Sequence, residues 1–294
     1  MLAGARMSDA GPPSVRSNRT TDRAPPMVLG ASDAALFETF VVPRYLSLFG
    51  ELALEVLAHA RGAQVLHIGC RTGYPDRGIL LKLPNAHVTG CEASSHALGV
   101  ARAKAQTTGE KAIEYVEVKD FPLPFEDGSF SHVLSLHPPA DPASRQGLLA
   151  EMHRLLTAHG QAVLALPMRG SFIEVADLLR EYALKADDAV LGQAIDRAVA
   201  LRPTVESLAA EMEELGFEYV DVDLRPALLS FDAGRDFLED PITRLLLLSE
   251  FRRNLGLDLD KSMAYVRDSI DKYWSDSTFE LTIHVGCATG RRAG

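Results

Sequence analysis

The stretch VLHIGCRTGY, residues 65–74, ends a short apolar run in a turn that carries Gly69 and Gly73. A junction of strand, turn and helix gathers backbone N–H groups and the positive end of a helix at one point. Glycine lets a ligand come close to the chain there. Glu92 ends the next apolar run, HVTGCE, and a carboxylate at that place can accept hydrogen bonds from ribose hydroxyls. Together these residues describe a seat for an adenosine-type cofactor lying across the carboxyl ends of neighbouring strands. Two letters are unusual for such a turn. His67 stands where an acid is common, and Arg71 where a glycine is common. A neutral His67 accepts a hydrogen bond, and a protonated one repels a ligand ammonium; as a plain structural residue it is a half-buried strand end with a local partner. Arg71 has three readings: it pairs with a ligand carboxylate, it fills the pocket, or it swings out to solvent.

On the opposite side of such a seat, His137 in LHPPA is the candidate general base. The plainer reading is a turn residue before two prolines. Tyr45 is either an aromatic that closes over the cofactor or a core residue of an amphipathic helix. Tyr273 and Trp274 read as packing residues.

The elements that must position these groups follow from periodicity. Residues 32–60 show helical spacing, and Pro43 predicts a break into two helices. Strands are expected at 64–68, 87–92, 113–118, 130–136, 161–167, 217–224 and 279–288. Helices are expected after the first, second and fourth of these, and LLAEMHRLLTAHG, the last of the three, reads as a helix stopped by Gly160. The rhythm of apolar strands and helices is that of a parallel sheet covered on both faces. Residues 171–203 break it with two extra helical patterns, and further helices are expected near 233–253 and 259–274. Residues 1–30, rich in Pro, Ser, Arg and Gly, read as a disordered tail, leaving one domain over 31–294.

Composition narrows the function. The chain has 294 residues, 47% of them hydrophobic, and a net charge of −10. An acidic field repels polyanions, so a nucleic-acid partner is excluded. Cys70, Cys91 and Cys287 have neither metal spacing nor the density of a disulfide framework. No apolar run reaches the length of a membrane span and the N-terminus lacks a signal-type stretch, so a cytoplasmic protein is expected.

The motifs FVVPRY, VLHIGCRTG, VTGCEAS, LPFEDGSF, LLAEMHRLLTAHGQAVLALP and ELGFEYVDV, in this order, resemble those of class I S-adenosylmethionine (SAM)-dependent methyltransferases, of the group that includes ubiquinone and menaquinone enzymes. The resemblance runs from about Phe37 to Cys287. It implies a Rossmann-like, doubly wound α/β sheet of seven strands. The last of them, FELTIHVG, would run antiparallel, and 171–203 would form a helical lid. It implies SAM as cofactor, held by Tyr45, His67, Gly69, Cys70, Arg71, Gly73, Glu92, Ala93, Asp120 and Phe121, with His137 as the catalytic candidate. The family usually has an acid at 67, a glycine at 71, an acid at 119 where this chain has Lys119, and often an acid at 131 where it has Ser131. The implied function is methyl transfer to a small organic acceptor. The alternative is a methyltransferase-fold protein that no longer catalyses and serves as a binding or regulatory partner, which leaves a protein partner open. A nicotinamide dehydrogenase is a third reading, and it gives LPFEDGSF no role.

Overall fold

The computed structural model describes residues 28–255 and 259–294. The expected tail therefore lies outside the described residues up to position 27. Leu29, placed in that tail by composition, is buried instead, and its carbonyl accepts a hydrogen bond from Ser94 Oγ at 2.7 Å.

A seven-stranded sheet carries the molecule, in the order β3-β2-β1-β4-β5-β7-β6. Its strands are β1 (Gln64–Ile68), β2 (His87–Glu92), β3 (Ile113–Glu117), β4 (Phe130–Leu136), β5 (Leu156–Pro167), β6 (Phe217–Phe231) and β7 (Phe279–Arg292). The β1–β2, β1–β4, β2–β3 and β4–β5 pairs are parallel, and β7 runs antiparallel to both β5 and β6. The chain thus winds outward from β1 in both directions. The tips of β1 and β4 become adjacent where the winding reverses, the place where open α/β sheets leave a crevice for ligands. Apolar residues fill both faces: Val65, Val88 and Leu134 face one core, Leu66, Val133 and Leu164 the other.

The leading helix departs from expectation. Ala31–Leu36 (α1), a wide-turned π segment Phe37–Leu46, and Ser47–Val56 (α2) run on without a break. Pro43 supplies no N–H, and the wider turn accommodates that loss: the Ser47 N–H reaches back to Val42 O, and Ser47 Oγ donates to Pro43 O at 2.9 Å. Three strands are longer than expected, β7 among them, which runs on to Arg292. Gly160 is no helix stop, because α5 (Pro142–Leu155) already ends before it and the residues after Leu155 join β5. β6 continues through Pro226 to Phe231 as the edge strand beside β7, where a missing N–H is tolerated.

The other helices flank the sheet: α3 (Asp76–Lys82), α4 (Ser95–Thr108), α6 (Ile173–Lys185), α7 (Ala189–Ala200), α8 (Val205–Glu214), α9 (Gly234–Glu239), α10 (Leu248–Leu255) and α11 (Leu259–Tyr273). Ser94, Asp141, Asp188 and Thr204 cap α4, α5, α7 and α8 through their side chains, each meeting a backbone donor that the helix leaves unpaired. A second π segment, Thr243–Leu247, leads into α10. No helix of the described residues is long and apolar enough to cross a membrane.

Candidate functional site

The tips of β1, β2 and β4 open into a cavity of about 560 Å³, well within the range of small-molecule sites. Gly69, Arg71, Glu92, Ala93, Asp120, Phe121 and His137 all line it. A side chain added at Gly69, whose φ is +70°, would meet nothing within 4 Å. The glycine leaves open space beside that backbone.

Glu92 ties the cavity rim together. Its Oε2 accepts the Arg71 N–H at 3.2 Å, and its Oε1 accepts the N–H groups of Ala93 and Ser94 at 2.7 and 3.0 Å. The carboxylate thus joins the turn after β1 to the start of α4. Each oxygen has two lone-pair sites, so Oε2 keeps acceptor capacity.

Arg71 neither swings to solvent nor fills the cavity. Its NH1 donates to Leu136 O at 2.8 Å and, more weakly, to Gly69 O at 3.4 Å, while NH2 donates to His137 O at 2.7 Å. The Phe37 ring lies 5.8 Å from the guanidinium carbon. Its φ of +48° is unusual for a residue with a side chain. Burial lowers the pKa of the guanidinium, and the charge of Glu92 works against that shift.

His67 points away from the cavity. It is 1% exposed, and its Nδ1 donates to Asp76 Oδ1 at 2.6 Å. Asp76 is wholly buried and also accepts the Tyr115 hydroxyl at 2.9 Å. The acid expected at position 67 is absent from the cavity wall; the histidine in its place pairs with buried Asp76, and the trio braces the glycine turn from behind. Gly73 belongs to this brace: its φ is +79°, and a Cβ there would sit 2.3 Å from the Tyr115 oxygen. Cys70 is buried, and neither it nor Gly73 is among the lining residues.

His137 ends β4 in the left-handed region, φ +48°, and its N–H donates to Ala165 O at 2.6 Å. Its Nε2 is 2.8 Å from the Tyr45 hydroxyl, and the rings of Tyr45 and Phe49 meet it edge-on. Burial, and then the positive charges of Arg71 and Arg202, depress its pKa to about 3. The ring is therefore neutral near pH 7 and a weak base. Tyr45 is fully buried and is not a lining residue; burial raises the pKa of its phenol well above the usual value. It backs His137 and does not close over the cavity.

Lys119 and Asp120 both reach the cavity from the loop after β3. Lys119 lies 3.7 Å from Glu117 in an exposed ion pair, and Asp120 is exposed. Ser131, by contrast, sits at the far end of the sheet, where its Oγ exchanges hydrogen bonds of 3.1 Å with the backbone of Gln64. The LPFEDGSF loop is fastened by α5: Leu123 N–H donates to Glu151 Oε1 at 2.7 Å, and Arg154 holds both Glu151 and Asp127.

Periodicity missed the cover of the site. No residue of 171–203 lines the cavity. Its outer wall comes from Leu246 of the second π segment and from Ser249, Glu250 and Arg253 of α10. The segment 171–203 acts one step removed, because Arg202 NH2 donates to Glu250 Oε1 at 2.6 Å and its guanidinium lies 4.8 Å from the Phe172 ring centroid. The loop after β4 is likewise held from outside: Arg145, 1% exposed, grips Glu211 of α8 at 2.6 and 2.7 Å and donates to Ala140 O at 2.8 Å. Lone charged residues with no motif around them carried no signal for either contact.

Comparison with known proteins agrees with this geometry. Residues 65–160 match the family model of a methyltransferase domain. The chain is 28% identical over 171 residues to a demethylmenaquinone methyltransferase of Thermus thermophilus, covering 54% of this chain and 75% of that one. A putative methyltransferase from Bacillus halodurans has the same fold, with a TM-score of 0.55 at 18% identity over 83% of this chain and 99% of that one. So does a phosphoethanolamine N-methyltransferase of Haemonchus contortus, solved with phosphomonomethylethanolamine and S-adenosylhomocysteine, at a TM-score of 0.55 and 14% identity over 90% of this chain and 59% of that one. Sheet order, the glycine turn with its acid on β2, and the match over 65–160 make the chain similar to the class I S-adenosylmethionine-dependent methyltransferases, whose fold it shares.

Proposed function

We propose that the protein transfers a methyl group from SAM to a small organic acceptor held under α10. The observation that carries this reading is the cavity over the tips of β1, β2 and β4. Gly69 leaves room for a ligand there, and Glu92 offers a fixed carboxylate at the rim. The nucleoside half of SAM fits: Glu92 would take the ribose, and Ala93, Asp120 and Phe121 would flank the base. The amino-acid half would lie beside Gly69 and Arg71. His67, Cys70, Gly73 and Tyr45 would serve from behind, by holding the turn and His137 in place.

Bound SAM supplies a methyl group already activated on a sulfonium. The protein's part is then to position the acceptor and exclude water, and this can account for much of the rate. His137 is neutral and weakly basic, so it suits the role of a fixed hydrogen-bond partner and not of a strong base. This favours an acceptor that needs no strong base, such as a neutral amine or a thiol. Leu246, Pro138 and Pro139 make the acceptor end mainly apolar, and Glu250 and Arg253 frame it.

A second reading, a scaffold that binds without catalysing, draws on one observation: the carbonyls at the tips of β1 and β4 already hold the guanidinium of Arg71. Calorimetric titration with SAM and with S-adenosylhomocysteine is the test. Micromolar binding of both, with loss of the methyl from SAM on incubation with a panel of amines and thiols, is expected. No heat and no thermal shift with either compound would remove the enzyme reading, and binding without turnover on any acceptor would favour the second.

A further inference from the structure

We infer that Arg71 turns the inner end of the cavity into a carboxylate subsite, so that an adenosyl ligand is held there by its carboxylate and not by its ammonium. The inference rests on the cofactor reading above. Gly69 O, Leu136 O and His137 O converge at the tips of β1 and β4, and converging carbonyl dipoles make a site for a cation. In this chain the cation is built in. The guanidinium takes all three oxygens, at 3.4, 2.8 and 2.7 Å. A ligand ammonium at this point would have to compete for the same oxygens and would face like charge.

No carboxylate is hydrogen-bonded to the guanidinium among the described residues. Glu92, the acid whose charge it feels, accepts the Arg71 backbone N–H instead and is further committed to Ala93 and Ser94. The positive charge is thus held by neutral groups, Phe37 among them. A guanidinium has five N–H donors in a flat fork that matches a carboxylate, and three contacts to carbonyls leave donors over. Arg71 is half-buried and is itself part of the cavity wall. Its left-handed backbone, φ +48°, is an outlier of the kind that persists where surrounding structure holds a side chain in place.

The test is calorimetry with three compounds: S-adenosylhomocysteine, its analogue lacking the amino group, and its analogue lacking the carboxylate. The expected order for the natural protein is near-equal affinity, within about threefold, for the two carboxylate-bearing compounds, and a loss of at least tenfold for the decarboxylated one. Arg71→Gly, in which glycine suits the backbone angle, is expected to free the three carbonyls and invert the order in favour of the amine-bearing compounds. Arg71→Lys, which keeps the charge, is expected to keep the original order with a smaller spread. Circular dichroism and thermal melting check that both variants are folded. Equal or tighter binding of the decarboxylated analogue by the natural protein would overturn the inference, as would an unchanged order in folded Arg71→Gly. Absence of heat with all three compounds in all three proteins would remove the adenosyl reading itself. Binding in the wrong order sinks only the carboxylate subsite.

Discussion

His67 shows how far a residue type can mislead when its partner is unknown. On a strand ending in a glycine turn it stands in the place of an acid that faces a cofactor. In the fold it faces Asp76, and Tyr115 completes the contact. The pair is a buried structural contact that faces away from the cavity. His67→Asp would therefore not restore a familiar site: it would set two carboxyl groups together in a fully buried place. We expect a loss of about 3 kcal/mol in urea denaturation at pH 7, mostly recovered in the double variant His67→Asp with Asp76→Asn. A fully stable single variant would contradict the arrangement. Arg71 is the converse case. Three readings were open from its type alone, and none of them foresaw the three carbonyls it caps at two strand tips, which needed the register of β4 against β1.

At the scale of elements, the sheet was legible almost throughout. Runs such as QVLHI and FSHVLSL are apolar on both faces, as buried parallel strands must be, and their bounds match. Local punctuation was less dependable. Pro43 is a helix breaker by its chemistry, yet buried Phe37, Val41, Val42 and Tyr45 hold the helix against the core, and a π turn absorbs the missing donor. Gly160 resembles a helix stop, but pairing with β7 draws its neighbours into β5. The cover of the cavity follows the same logic. α10 lines it, and Arg202 anchors α10 through Glu250, with side chains only 5% and 14% exposed. Glu250→Gln would leave that guanidinium buried without its counter-charge. We expect a loss of about 3 kcal/mol in thermal or urea unfolding, together with weaker binding of adenosyl ligands. Unchanged stability would show that the pair is not what holds the cover.

For the whole molecule, the buried neutral His137 predicts an acid sensitivity. Its folded pKa, about 3, lies below the unfolded value of about 6.5. Above pH 6.5 the ring is neutral in both states. As the pH falls below that value, the unfolded chain takes up a proton that the folded one does not, so stability declines toward pH 3. His132 and His153, whose pKa values burial also lowers, add to the same slope. His137→Gln removes one of these contributions. Its stability is expected to fall less than that of the natural protein between pH 6.5 and 4 in denaturant titrations, and an equal fall would refute the assignment.

The amino-acid sequence by itself determined the class of the fold, the strands at its centre, the glycine turn and the acid that rims the cavity. These depend on local pattern: apolar runs, their spacing, and glycine where backbone must be bare. Tertiary structure alone decided what the charged residues do. His67 meets Asp76, Arg71 meets the tip of β4, Tyr45 backs His137, and Arg202 holds α10. A buried charge is governed by whichever opposite charge or dipole comes near it. Most of these partners come from other elements of the chain, brought into reach only by the winding of the sheet.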